Sequence, residues 1–365
     1  VAAIRSRIPG PVPGPIWIHV LSEAELAPYL ERLAASDPEG LPLYGIPFAI
    51  KDNIDLAGIP TTAACPAFAS VPGRSAFVVE RLIASGAIPI GKTNLDQFAT
   101  GLVGTRSPHG ATPNAFDPSF VSGGSSSGSA VAVALGLVSF ALGTDTAGSG
   151  RVPAAFNNLI GIKPTRGLIS TAGVVPACRT LDCVSLFALD VADAEAVMAV
   201  AARFDASDPY ARARMAPPDQ DGGVDGPFRF GVPDRLELFG DRESERLFQA
   251  AVARLRGLGG EPVTLDFTPF AEAARLLYEG PWVAERYAAI EGFIAREPES
   301  LLEVTRRIIA RAAEARAVDA FKAQYRLAGL QRQADLAMAG LDCVLTPTAP
   351  TCYRIAEVES DPIVL

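Results

Sequence analysis

Short apolar runs alternate with polar, glycine-rich turns along the chain, and their periodicity changes from place to place. In "ELAPYLERLAAS" the apolar residues fall three and four apart, which predicts a short amphipathic helix. "LPLYGIPFAIKDNID" is a near-continuous apolar run that breaks at Asp52-Asn53, as a strand ended by a turn would. "AFVVERLIASGAIPIGKTN" reads as helix, glycine, strand. "SGSAVAVALGLVSFALGTDTAGS" repeats that order with a small-residue helix, a strand over 138–142 and a glycine turn. "FNNLIGIKPTRGLIS" adds another strand and turn. A Pro-, Gly- and Asp-rich stretch at 205–227 predicts an exposed loop. After it come a strand in "FRFGVP", a glycine-ended helix in "ESERLFQAAVARLRGLGG", a strand in "EPVTLDF", mostly helix over 269–340 and a last strand in "DCVLTPTAP". The alternation predicts an α/β fold with a large mixed sheet sandwiched between layers of helices. The expected organisation is one domain over 1–365, with an arm at 1–40, a core at 41–200 and a second lobe at 228–365. The tail stops on uncapped apolar residues, so the domain is expected to continue beyond residue 365.

Composition narrows the function. With 365 residues, 49% of them hydrophobic, the chain can bury a sizeable core. A net charge of −9 argues against a broad nucleic-acid or anionic-membrane surface, because phosphates are held by clustered Lys and Arg. The longest apolar run, 130–142, is too short to span a bilayer. No secretory signal opens the chain. Five sparsely spaced cysteines without a Cys-x-x-Cys pair suggest reduced core thiols and a cytoplasmic protein, and no metal or other cofactor is expected. The two histidines, His19 and His109, sit in contexts that look structural. A serine nucleophile here would therefore need a base other than histidine.

Three readings compete for "GGSSSGSAVA" at 123–132: a flexible linker, a phosphate-cradling loop and a platform for serine chemistry. The linker reading fails because the run leads directly into "AVAVALGLV", too apolar to be left exposed. The only phosphate-loop pattern, "GAIPIGKT" at 86–93, has apolar residues and Pro89 where free backbone N–H groups are needed. It reads as a strand, with Lys92 at a turn or the surface. For serine chemistry the pieces are present. A second small-residue turn, "GTDTAGSGRVP", could present the N–H groups of Thr146, Ala147, Gly148 and Ser149 as an oxyanion hole, with Asp145 and Arg151 bracing it. Lys51, at the end of an apolar strand, is the best candidate base.

Lys51 in "GIPFAIKDNID", the block "GGSSSGSA" and "GTDTAGSGRVPAAFNNLIGIKPT" together resemble the amidase signature family. The intervals agree too, 74 residues from Lys51 to Ser125 and 24 from Ser125 to Ser149. The resemblance implies that Ser149 is the nucleophile, that Ser125 is a bridging serine in a cis peptide link with Ser126, and that Lys51 is the base. Within the family, "TTAACPAFA", "GKTNLDQFATGLVGTRSPHG" and "STAGVVPACRTLDCVSLFALDVADA" look like the allophanate hydrolases. That likeness implies hydrolysis of allophanate, a urea carrying a carboxylate, with Tyr278 and Arg286 of "LLYEGPWVAERYAAI" holding the carboxylate. It further implies a homodimer and a metabolic link to urea carboxylase or biuret hydrolase. A broad amidase or the amidating component of a tRNA-dependent amidotransferase is the alternative.

Overall fold

A computed structural model describes Ser6, residues 15–213 and residues 226–362. Its backbone separates into two compact units. The first comprises the described residues of Val1–Arg214, Ala288–Ile308 and Tyr353–Leu365, and the second those of Met215–Tyr287 and Ile309–Cys352. Residues after 228 thus contribute to both units, where one continuous lobe was expected.

The first unit is built on a six-stranded mixed sheet. Its strands are β1 (Trp17–Val20), β2 (Pro47–Lys51), β3 (Ile88–Thr93), β4 (Phe140–Asp145), β5 (Ile160–Ile162) and β6 (Cys183–Ala188), in the order β1-β3-β2-β4-β6-β5. The central three, β3, β2 and β4, are parallel and carry near-continuous apolar residues, as strands covered on both faces do. The flanking pairs β1/β3, β4/β6 and β6/β5 are antiparallel. Helices α1 (Glu23–Ala34), α2 (Phe77–Ala84), α3 (Ser127–Ala134), α4 (Arg151–Phe156) and α5 (Val191–Ala201) follow in chain order. Helix α1 starts on a capping box in which Ser22 and Glu25 satisfy each other's backbone groups. One core joins Phe48 and Ile50 of β2, Phe140 and Leu142 of β4 and Phe187 of β6, with Phe48 and Phe140 stacked 5.1 Å apart.

Helix α3 packs on β2, β3, β4 and β6, and its residues 127–133 are all buried. Small residues make this possible. A Cβ on Gly128 would stand 2.2 Å from the Ile16 carbonyl oxygen and 2.7 Å from the Asn94 nitrogen, both backbone atoms that cannot yield cheaply. Gly128→Ala is expected to cost about 1–3 kcal/mol by overpacking, measured as a lowered denaturation midpoint.

The second unit holds a three-stranded parallel sheet in the order β8-β7-β9, from β7 (Phe228–Pro233), β8 (Gly260–Leu265) and β9 (Cys343–Val344). Helix α6 (Arg242–Gly257) is N-capped by Asp241 and packs on β8, burying Phe248 and Val252 beside Phe230. Then come α7 (Thr268–Tyr278), α8 (Val283–Ile294), α9 (Glu303–Ala310), α10 (Ala317–Ala337) and α11 (Ile355–Ser360), of which α11 and most of α9 belong to the first unit. Helix α8 begins in the second unit and ends in the first.

The structure corrects several expectations. Residues 138–142 divide between a turn and β4, which runs to Asp145, because Gly136 (φ +62°) ends the helix and redirects the chain. The arm at 1–40 holds the expected helix as α1 and, unexpectedly, the strand β1. The described start of the loop at 205–227 is largely exposed, with two buried anchors. Asp205 and Asp208 are buried, and Ser170 Oγ donates to both, at 2.7 and 3.3 Å. Residues 214–225 of that loop lie outside the described residues. The thiols of Cys65, Cys178 and Cys183 are free and buried, whereas Cys343 is exposed. No described helix is long and apolar enough to cross a membrane.

Candidate active site

The parallel strands β2, β3 and β4 end together, and polar side chains gather beyond their carboxyl ends, where open α/β sheets commonly bind ligands. Lys51 closes β2 and has no exposed surface. Its Nζ lies 2.8 Å from Ser125 Oγ and 2.7 Å from Thr144 Oγ1 of the neighbouring β4. Asn53 Nδ2 donates to the same Thr144 hydroxyl at 3.3 Å. The expected base and bridging serine are therefore in direct contact, although 74 residues separate them in sequence.

The neighbouring hydroxyls have structural roles. Ser126 stands at the helix N-cap but does not cap it. Its Oγ donates to the Thr144 carbonyl (3.1 Å) and accepts from the Thr144 N–H (3.3 Å), clamping the serine run to β4. Ser129 Oγ donates to the Leu142 carbonyl (2.8 Å) and lies 2.7 Å from Thr93 Oγ1. Ser127 Oγ contacts Thr112 Oγ1 at 3.1 Å. Each of these buried hydroxyls finds a partner in the sheet or the adjoining loop, as burial requires.

The cis peptide bond lies between Gly124 and Ser125, one residue before the expected position. Gly124 is the residue that fits there. A Cβ would sit 2.1 Å from Asp96 Oδ2 and 2.6 Å from the Gly104 nitrogen, and the Gly124 N–H donates to the Leu102 carbonyl at 2.8 Å. Asp96, fully buried, gathers this corner. Its carboxylate accepts from the N–H groups of Val103 (3.3 Å), Gly104 (3.0 Å) and Arg106 (2.9 Å), and its own N–H donates to the Ser125 carbonyl (3.1 Å).

Ser149 lies in the turn between β4 and α4 and is buried. Its carbonyl accepts from the Ser126 N–H at 3.2 Å, so the two serine turns abut. Its hydroxyl is turned onto the Gly101 carbonyl at 3.5 Å, a long contact. Asp145 shapes the turn. Its carboxylate accepts from the N–H groups of Gly148 (2.8 Å), Gly150 (3.1 Å) and Arg151 (3.1 Å) and pairs two-pronged with the Arg151 guanidinium at 2.9 Å for each contact. Burial alone would raise the Asp145 carboxyl, but the Arg151 charge and these N–H groups outweigh it and hold it below the usual carboxylate range. The Gly148 N–H is thereby committed to Asp145, which takes it out of the expected oxyanion set. Thr146 is fixed by its hydroxyl, which donates to Asp182 Oδ1 at 2.5 Å.

Tyr278 ends α7, 55% exposed, and Arg286 is half-buried near the start of α8; both belong to the second unit. His19 Nε2 lies 3.1 Å from the Glu25 carboxylate. His109 sits in an exposed turn, and the partial burial of its ring lowers its pKa against the pull of the Asp52 charge. Lys92 departs furthest from expectation. It lies within β3 with no exposed surface, because its ammonium is paired with the equally buried Asp52 at 3.0 Å. Thr144, Asp96 and Asp52 were not read from the sequence. Only Asp52, adjoining Lys51, carried a local cue.

The profile of the Amidase family matches residues 18–361, across both units. The chain belongs to the amidase family. Amidases of this family are hydrolases of amide C–N bonds, and the fold and the Lys51–Ser125 contact agree with that membership. Among its relatives, urea amidolyase of Lachancea kluyveri is 48% identical over 355 residues, 96% of this chain and 19% of that protein. The crystal structure of selenomethionine-substituted Kluyveromyces lactis allophanate hydrolase superposes with a TM-score of 0.93 at 46% identity, covering all of this chain and 60% of that one. A glutamyl-tRNA(Gln) amidotransferase component from Symbiobacterium thermophilum is 37% identical over 361 residues, 91% of this chain and 74% of that protein. This amidase thus spans about a fifth of the urea amidolyases it resembles.

Proposed function

We propose that this amidase hydrolyses allophanate at its terminal amide, with Ser149 as nucleophile, Ser125 as bridging serine and Lys51 as base. The observation that carries this reading is the fully buried amine of Lys51 on the Ser125 hydroxyl at 2.8 Å. Likeness to urea amidolyase and allophanate hydrolase supports the choice of substrate. Burial disfavours an ammonium, and an uncharged amine can donate one N–H to Thr144 while its lone pair accepts the Ser125 proton.

In the proposed reaction the Ser149 hydroxyl swings from Gly101 towards Ser125 and gives up its proton along the relay. A bond forms between Ser149 Oγ and the amide carbon. The oxyanion faces the N–H groups of Thr146, Ala147 and Ser149. The C–N bond breaks as the relay returns the proton to the leaving nitrogen, and ammonia departs. Water then attacks the carbamoyl-type acyl-enzyme, its proton passing to the relay, and frees Ser149. The N-carboxycarbamate released loses CO2 and decomposes further. Tyr278 and Arg286 would hold the substrate carboxylate, a planar anion suited to a guanidinium fork. Urea carboxylase or a biuret-degrading enzyme would supply the substrate.

Ammonia release from allophanate tests the substrate. Arg286→Ala is expected to raise KM for allophanate about 10²-fold, the worth of a charge-assisted pair, while changing KM for an uncharged amide little. Equal effects on both would remove Arg286 from the site. The 37% identity to the tRNA-dependent amidotransferase favours a second reading, in which the amide is hydrolysed to feed ammonia to a partner. Turnover of allophanate with indifference to tRNA and acetamide decides for the first.

A further inference from the structure

We infer that Lys92 is a charge-balancing positioning residue for this amidase: it neutralises Asp52, the residue that follows the base, so that Lys51 can work as an uncharged amine. The inference rests on the proposed role of Lys51 and deepens it.

The geometry is that of two lysines on paired strands with opposite tasks. Lys92 aligns with Ile50 across the parallel β2–β3 pair, and Lys51 aligns with Thr93. Both amines are fully buried. Lys51 meets the hydroxyls of Ser125 and Thr144, whereas Lys92 meets Asp52 Oδ1 at 3.0 Å, Thr61 Oγ1 at 3.0 Å and the Pro60 carbonyl at 3.4 Å. Asp52 is also fixed through its other oxygen, which accepts from the Thr62 N–H at 3.0 Å and from the Thr62 hydroxyl. Its backbone is tied as well, since its N–H donates to the Thr93 carbonyl (3.1 Å) and its carbonyl accepts from Ala63 (3.1 Å). The pair therefore anchors the chain immediately after Lys51.

An ion pair this deep is expensive to bury, and well-packed apolar residues would serve stability equally well. Its placement suggests an electrostatic purpose. A bare carboxylate one residue from the base, in a core of low dielectric, would favour the ammonium form of Lys51 and shut the relay. With Lys92 seated on it, Asp52 presents a dipole with no net charge.

Other charged and titratable groups also face this corner. Asp55, near Thr61 and Lys92, is raised by burial above the usual carboxylate range. His109 is lowered by the partial burial of its ring. Asp145 is paired with Arg151, and Asp96 is engaged by three N–H groups beside Gly124. Of these four only His109 can bring a second positive charge to bear on Asp52, and the partial burial of its ring works against that charge.

The test is the pH dependence of kcat for ammonia release from allophanate in Lys92→Met, Asp52→Asn and the double variant, with Lys51→Met alongside. Lys92→Met should move the acid limb up by about one pH unit and recover activity in alkaline buffer. Asp52→Asn should move it down by a similar amount, and the double variant should return it close to the parent position. An unmoved limb in folded Lys92→Met overturns the inference. So does activity lost at every pH with the fold intact, or a double variant that keeps the shift of Lys92→Met. If Lys92→Met does not fold, the nearly isosteric Asp52→Asn decides alone, and an unmoved limb there overturns it. Lys51→Met reports separately: if it stays active the proposed relay fails, whatever the limbs do.

Discussion

Ser149→Ala protein is expected to release ammonia from allophanate at least about 10⁴-fold more slowly than the parent, with its denaturation midpoint nearly unchanged. Loss of a serine nucleophile from a cooperating set costs on this order, because what remains is only binding and oxyanion stabilisation. The small structural effect follows from the site. The Ser149 hydroxyl makes one long contact, to Gly101, while the turn itself is held by Asp145, whose carboxylate the substitution leaves in place. Stopped-flow mixing with an activated ester should show no burst. A burst of normal size from Ser149→Ala would mean that another residue is acylated, and the relay as drawn would be wrong.

Lys51→Met comes next in size, with an expected fall in kcat of about 10³- to 10⁴-fold at neutral pH, at the upper end of what general acid–base catalysis contributes. Methionine has a similar length and suits an apolar core, so the fold should persist. It leaves Thr144 with Asn53 as a remaining donor. Lys51→Arg separates a base from a mere cation. Arginine keeps a positive charge but does not give up its proton, so it should be as inactive as methionine. Substantial turnover by Lys51→Arg would show that charge alone is needed at this position and would remove the base from the mechanism.

Much of this site was legible because each key residue sits in a local pattern with a physical meaning. An apolar strand ending on a lysine, a serine run entering a buried helix and a small-residue turn carrying Ser149 are short-range features. They survive into β2, α3 and the β4–α4 turn. The legibility ended where function depends on pairing. Lys92 looked like a turn residue because a lysine in an apolar strand is normally placed near solvent. Nothing near it in sequence reveals that Asp52 arrives from the adjoining strand. Thr144 was invisible for the same reason, since its value lies in the register that sets β4 beside β2. Strand β6, "CVSLFA", carries no alternation because it is buried throughout, and so it escaped a reading that looks for period two. The turn carrying Ser149 was placed correctly, but its N–H groups could not be divided between the ligand and Asp145 without coordinates.

The first unit, which holds Lys51, Ser125 and Ser149, takes in a late piece of the chain. Gln97, just past β3, donates from its side-chain amide to the Ser300 carbonyl (3.3 Å) and accepts from the Leu302 N–H (2.8 Å), while the Cys65 thiol donates to the same Ser300 carbonyl (3.4 Å). Phe293 closes over Phe68 and Phe98 with ring centroids 5.2 and 6.0 Å away. During synthesis the ribosome must therefore deliver residue 302 before the wall around 65 and 97 can be finished. A nascent chain that already carries Lys51, Ser125 and Ser149 would still leave two aromatic rings and an amide bare. Splitting the gene before residue 288 should yield a first fragment that aggregates on its own and recovers when the second is supplied beside it.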